Sequence, residues 1–334
     1  MAKKQAKKPK KKKKAASMGD PSEWSAGTVI RSVGSSSRVL GDSGEWVDCV
    51  VRGKFRIQGI NSTNPVAVGD RVHFMAPKEP EELGVITELL PRKNYILRKA
   101  ATHNRKVHIL CANVDQALLL FTIDFPTTST GFADRYLVVT EAYDIPTKIV
   151  INKIDLLETE EQQARLAEVT DMYRNLGYEV IHISALDESY QDTVADLLVG
   201  KTSFIGGHSG SGKSTLINMI DPDLNLKTSE ISEATTKGRH TTTYAEMHPL
   251  VTGGAIIDSP GIRELGLAQF EREELGHYFR EIRDRMGECK FHNCLHLQEP
   301  HCAVKAAVES GEIHYKRYES YLRLLDEIEE GKDW

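Results

Sequence analysis

Nine consecutive residues, Gly207, His208, Ser209, Gly210, Ser211, Gly212, Lys213, Ser214 and Thr215, contain the pattern G-x-x-x-x-G-K-S. A phosphate carries dense negative charge and needs many donors at short range. Glycines at 207, 210 and 212 let backbone N–H groups approach it with no Cβ in the way. Lys213 is placed to reach the β and γ phosphates, which makes it a candidate catalytic cation, and Ser214 to set its hydroxyl on Mg²⁺. The apolar "TSFIG" before the loop reads as a strand and "STLINMI" after it as a helix. That helix N-terminus adds its dipole to the anion site.

Two further stretches suit the same ligand. Asp258 to Gly261, "DSPG", follows the apolar strand "GAII". A carboxylate at a strand end facing the phosphate loop can hold Mg²⁺ through water, and Gly261 can give its N–H to a γ-phosphate. Before it lies "KGRHTTT", Lys237 to Thr243. A threonine hydroxyl there would complete the Mg²⁺ shell only while a γ-phosphate is present, which is the physics of a switch. Thr241 and Thr242 both qualify as that ligand.

A base reader stands upstream, in "INKID". Asp155 can accept from guanine N1–H and its exocyclic amine, a donor pair that adenine lacks. Asn152 can bond the purine edge, and the Lys153 stem can cover its face. One strand later, in "ISALD", Ser184 and Ala185 would offer backbone N–H groups to the guanine carbonyl oxygen.

A second kind of chemistry sits near the end. Cys289, Cys294, His296 and Cys302 are spaced C-x4-C-x-H-x5-C. Three thiolates and one imidazole make a closed tetrahedral zinc site with no open position, hence a structural one. His292 and His301 lie close enough to compete as the nitrogen ligand. Cys49 and Cys111 stand alone, so the five cysteines fit a metal site in a reducing, cytoplasmic setting and not a disulfide framework.

These groups need a scaffold. With 334 residues, 40% apolar and 27% charged, the chain is long enough for two or three cores and has no apolar run long enough to span a membrane. The start is charged with no apolar stretch behind it, so it is not read as a secretory signal. Residues 1–25 read as a lysine-rich tail and linker expected to be disordered. Net charge is −5 with nine lysines in residues 1–14, so the rest of the chain is −14. The tail fits a solvated, solubilising segment or an electrostatic arm for RNA phosphates equally well.

Residues 26–110 carry short β-branched runs, such as "GTVIRSV", "EWVDCVV" and "DRVHFMA", split by turn residues. That spacing predicts a five-stranded oligonucleotide-binding (OB) barrel. Arg52, Lys54, Arg56, Arg92, Lys93, Arg98 and Lys99 fit RNA contacts or an ordinary solvated face equally well. Residues 111–268 alternate strand and helix, the pattern of an α/β P-loop domain on a mainly parallel sheet. Residues 269–334 read as a helical domain around the Cys/His knot.

The base reader precedes the phosphate reader, the reverse of the usual order. Sites on parallel sheets gather at strand C-termini, so joining the old ends and opening the chain elsewhere preserves the pocket. "GHSGSGKST", "GRHTTT", "DSPGIRELG" and "CKFHNCLHLQEPHCAV" in this order resemble the ribosome small-subunit-dependent GTPase A family, over about residues 26–325. The resemblance implies an OB barrel, a circularly permuted GTPase domain and a zinc domain. It implies hydrolysis of GTP to GDP and phosphate, stimulated by the small ribosomal subunit and its rRNA, late in that subunit's maturation. It selects His296 as the zinc ligand. Ile262 stands where Ras-like enzymes carry a water-orienting glutamine, so intrinsic hydrolysis is expected to be slow. The resemblance gives the water-positioning role to His240. A monomer suffices for all of this. Two other readings remain: a P-loop ATPase or kinase with an RNA-binding barrel, and a non-hydrolysing RNA-binding scaffold. Asp155 argues against the first, and Lys213 with Ser214 against the second.

Overall fold

The computed structural model describes residues 20–51, 65–79, 81–99, 107–225, 245–258, 267 and 270–330. Short alternating runs in the first third become strands β1 (Ser25–Val33), β2 (Ser36–Gly41), β3 (Trp46–Val51), β4 (Arg71–Met75) and β5 (Gly84–Leu89). They pair in the order β1-β2-β3-β5-β4, and β4 pairs back onto β1 from Ser25↔Phe74 to Thr28↔Arg71. The sheet is thereby a closed five-stranded barrel, with no edge left exposed between β1 and β4. Alternate residues point inward, and Val29, Val39, Val47, Cys49, Val72, Phe74 and Ile86 fill the interior.

The next run, Tyr95–Lys99 (β6), does not join the barrel. It pairs with β7 (Val107–Ala112) in a separate two-stranded sheet. Ala112 N–H donates to the Val68 carbonyl at 2.8 Å, and Asn113 Nδ2 to the Gly69 carbonyl at 2.9 Å. This hairpin hands the chain from the barrel to the α/β domain.

Five strands there are parallel: β8 (Gln116–Phe121), β9 (Thr147–Ile151), β10 (Glu179–His182), β11 (Thr202–Gly207) and β13 (Ala255–Asp258). Their spatial order is β10-β9-β8-β11-β13, with β12 (Glu246–Pro249) antiparallel on β13 and touching β1 through Arg31↔Glu246. β8 is buried along its whole length, as a central parallel strand must be. Leu118 and Leu120 face α3 (Gln191–Leu198) and α4 (Lys213–Ile220); Ala117, Leu119 and Phe121 face α1 (Thr130–Ala142) and α2 (Glu160–Asn175). The chain leaves β8 toward β9 and β10, then returns to β11 on the other side of β8. The strand order reverses between β8 and β11, and α/β ligands bind at such a reversal.

α1 is buried at every position from Ala133 to Thr140, because the sheet covers one side and α7 (Tyr315–Glu330) the other. α7, α5 (Arg280–Met286) and α6 (Ala303–Glu309) belong to the C-terminal unit, yet they share one apolar core with the α1 face of the sheet. A buried triad locks the seam. Arg317 of α7, 1% exposed, pairs with Asp134 of α1 and donates from Nε to Glu281 of α5 at 2.7 Å. Tyr173 of α2 adds its hydroxyl to Asp134 at 2.9 Å. No described helix is long and apolar enough to cross a membrane.

Candidate nucleotide site and Cys/His centre

The predicted phosphate loop leaves the C-terminal end of β11, and α4 begins at Lys213. Gly210 and Gly212 have φ of +80° and +97°, the left-handed region where only glycine is unstrained. At Gly212 the fit is also steric: a Cβ there would lie 2.2 Å from Asn152 Nδ2. Lys213 Nζ donates to the carbonyls of Gly207 and His208 at 2.8 and 2.9 Å, which holds the ammonium over the loop. Burial lowers its pKa, and the nearby Asp258 carboxylate opposes that shift. Asp258 ends β13 beside Ile205 of β11. Its Oδ1 and the Ser211 Oγ are buried without a hydrogen-bond partner among the described residues. Unsatisfied buried oxygens are rare in finished structures. Two of them beside a lysine and a half-buried Ser214 fit a site made for phosphate and Mg²⁺.

The loop predicted to read the base leaves the end of β9, next to β8. Asn152 is 2% exposed. Its Nδ2 donates to the Ser211 carbonyl at 2.8 Å, and its Oδ1 accepts the Ala185 N–H at 2.9 Å. The sequence pattern placed Asn152 on the purine edge and offered the Ala185 N–H to the guanine oxygen. The bond between them satisfies the buried amide inside the protein. Asn152 thus joins the loop after β9, the 184–187 turn and the loop after β11. Ser184 is buried, and its Oγ accepts the Leu186 N–H at 3.4 Å. Lys153, at φ +64°, sends Nζ to the Phe125 carbonyl at 2.6 Å. Burial lowers its pKa against the pull of Asp155. Asp155 itself is exposed on the short helical turn Ile154–Leu156 and has no side-chain hydrogen bond among the described residues, leaving both oxygens for a ligand.

Two features at this site escaped the sequence reading. One is the 122–129 loop after β8, whose Phe125 holds Lys153; the Phe-Pro pair between an apolar strand and a helix was its only sign. The other is the partner of His208 in the predicted phosphate loop: its ring stacks on Phe132 of α1 with ring centroids 3.7 Å apart. His240, Thr241, Thr242, Gly261 and Ile262 lie outside the described residues.

The Cys/His spacing closes in space. One ligand atom from each of Cys289, Cys294, His296 and Cys302 lies within 4.8 Å of the others. His296 points Nδ1 at the thiols, 3.6 Å from Cys289 Sγ and 3.4 Å from Cys302 Sγ. It is buried, whereas His292 and His301 are exposed. The cluster can hold a metal ion. Tyr318 and Tyr321 of α7 donate to the His296 and Leu295 carbonyls at 2.6 and 2.9 Å, fixing the knot to the helix that carries Arg317.

The barrel cations need one correction. Arg92 is not a surface contact: its side chain is 8% exposed and forks onto buried Asp70 at 2.6 Å. Lys93 is exposed but paired with Asp115 at 3.1 Å. Arg52, Lys54 and Arg56 lie outside the described residues, as do the side chains of Arg98 and Lys99.

Known proteins share this architecture. The family model described as RsgA GTPase matches residues 89–268, and that of the RsgA N-terminal domain matches residues 26–86. The small ribosomal subunit biogenesis GTPase RsgA of Christiangramia forsetii is 49% identical over 91% of this chain and 97% of its own length. Its counterpart in Bacteroides fragilis strain YCH46 is 47% identical over 92% and 98%. The crystal structure of YjeQ from Thermotoga maritima superposes with a TM-score of 0.73 at 35% identity, covering 91% of this chain and 98% of that one. The structure of YloQ, described as a circularly permuted GTPase, gives 0.69 at 34% identity, covering 92% and 96%. With this identity over nine-tenths of its length and a family model over residues 89–268, the chain belongs to the RsgA GTPase family.

Proposed function

We propose that this protein binds GTP with Mg²⁺ at the β8/β11 crevice, hydrolyses it to GDP and phosphate, and does so on the small ribosomal subunit during its biogenesis. The observation that supports the reading is the Asn152 joint, which bonds the loop after β9 to the loop after β11 and to the Ala185 N–H. Asp155 reads the base, and its unpartnered oxygens would be left bare by adenine. Backbone N–H groups from Gly207 to Lys213 and the start of α4 cradle the phosphates. Lys213 meets the charge that grows on the transferring phosphoryl group. Ser214 and Asp258 would hold Mg²⁺, with one of Thr241 and Thr242; the ion supplies charge neutralisation at the β and γ phosphates. Gly261 is assigned to the γ-phosphate. His240 is assigned to the attacking water, a role that rests on the family resemblance alone. Cys289, Cys294, His296 and Cys302 would hold one structural zinc ion, since three thiolates and an imidazole complete its tetrahedron. The protein would work as a cytoplasmic monomer, with the barrel and the Cys/His unit facing ribosomal RNA.

The test is GTP turnover by the purified protein alone and with purified small ribosomal subunits. Slow turnover alone and a large rise with subunits is the expected result. Turnover that ignores the subunits would remove the partner, and no turnover in either condition would remove the chemistry.

A further inference from the structure

Three large apolar side chains stand in solvent around the base-reading corner: Phe125 at 50% exposure, Leu156 at 41% and Leu186 at 80%. Leu156 follows Asp155 and Leu186 follows Ala185. Single exposed apolar residues need no explanation, but a group gathered at the mouth of a ligand site does.

Phe125 is the one tied to both halves of the site. Its carbonyl accepts Lys153 Nζ at 2.6 Å on the base-reading side. Its neighbour Pro126 lies against the phosphate loop, where a Cβ built on Gly210 would meet the proline Cδ at 3.4 Å. The loop that carries the ring is pinned from several directions. Asp124 accepts from Gln162 Nε2 at 2.9 Å and from Thr127 Oγ1 at 3.0 Å, and Thr122 N–H donates to Thr128 Oγ1 at 3.1 Å. Phe125 has φ +59°, a backbone region that bulky residues seldom occupy and that tends to persist where surrounding contacts enforce it. A fixed backbone therefore presents a bare aromatic ring at the interval between Gly210 and Lys153.

A nucleotide with phosphates on the 207–213 loop and its base on Asp155 must lay its sugar across that interval. We propose that Phe125 is a further nucleotide-contacting residue whose ring covers the ribose of the bound guanosine nucleotide. The inference rests on the guanine-nucleotide reading given above. A ribose face presents C–H bonds, and an aromatic ring laid on it gains dispersion and removes apolar surface from water. Because the loop is held before the ligand arrives, little ordering opposes the contact. Phe125 is a binding residue and takes no part in proton or phosphoryl transfer.

Calorimetric titration of the full-length protein with two probes tests this: GDP, and the diphosphate of an acyclic guanine nucleoside, which keeps base and phosphates but has no ribose ring. Phe125→Ala is expected to weaken GDP binding about tenfold, within the range of aromatic contacts. Phe125→Trp should stay within about twofold of the unmodified chain. The acyclic probe should bind the unmodified chain and Phe125→Ala equally. GDP binding unchanged in Phe125→Ala overturns the proposal and leaves the nucleotide site standing. An equal loss for both probes also overturns it, because the ring would then act on base, phosphates or fold. Failure of the unmodified chain to bind GDP removes the nucleotide reading itself, and the proposal with it.

Discussion

Asn152 donates from Nδ2 to the Ser211 carbonyl at 2.8 Å, and so fastens the loop after β9 to the loop after β11. The two residues are 59 positions apart and sit on opposite sides of the strand-order reversal. The joint is indifferent to which loop comes first in the chain. A permuted order therefore costs the site nothing, provided both loops still leave the C-terminal ends of parallel strands.

Asn152→Ala removes both bonds and leaves the Ser211 carbonyl and Ala185 N–H without their partner. Each such loss costs about 1–3 kcal/mol when buried. Chemical denaturation should show a drop of about 2–4 kcal/mol, with GDP affinity falling as the two loops separate. Unchanged stability would mean that Asn152 is not the joint.

Arg317→Ala leaves the carboxylates of Asp134 and Glu281 buried without their cation. A loss of about 3–5 kcal/mol is expected in the same measurement. Replacing all three by apolar residues of similar size should recover most of it, since a buried ion network is weakly stabilising as a whole. A loss below about 1 kcal/mol for the single change would place the triad in solvent.

Elemental analysis of protein purified in reducing buffer should give one zinc ion per chain. Cys302→Ser should lose the metal and lower the thermal midpoint, because the knot is bonded to α7 through Tyr318 and Tyr321. Metal-free protein with an unchanged midpoint would contradict the zinc assignment.

His240→Ala should lower subunit-stimulated turnover by about 10²-fold or more while GDP affinity stays within about twofold. Equal fall in turnover and affinity would make His240 a packing residue, and unchanged turnover would remove its role.

Much of this was legible in the sequence for physical reasons. Five of the six buried residues of β8 are apolar and do not alternate with polar ones, which announces a central parallel strand. The Cys/His spacing encodes its own closure. β12 was missed because four residues ending in proline carry no period to detect. β6 lies within the 26–110 stretch expected to form the barrel, and only its pairing with β7 sets it apart. Arg92 looked like a surface cation because a charge and its buried partner, 22 positions apart, give no local sign of each other. The same holds for Arg317. Which neighbours use the Asn152 amide is decided by the packing of three loops, which no local pattern shows.

Asp155, just after β9, is expected to read guanine for a phosphate loop that follows it in the chain. Binding of GTP, ATP and xanthosine triphosphate to the unmodified chain and to Asp155→Asn tests it most directly. The unmodified chain should favour GTP over ATP by about 10³-fold or more, and Asp155→Asn should move the preference to xanthosine triphosphate. Equal binding of GTP and ATP by the unmodified chain, or a variant that still prefers GTP, would contradict it.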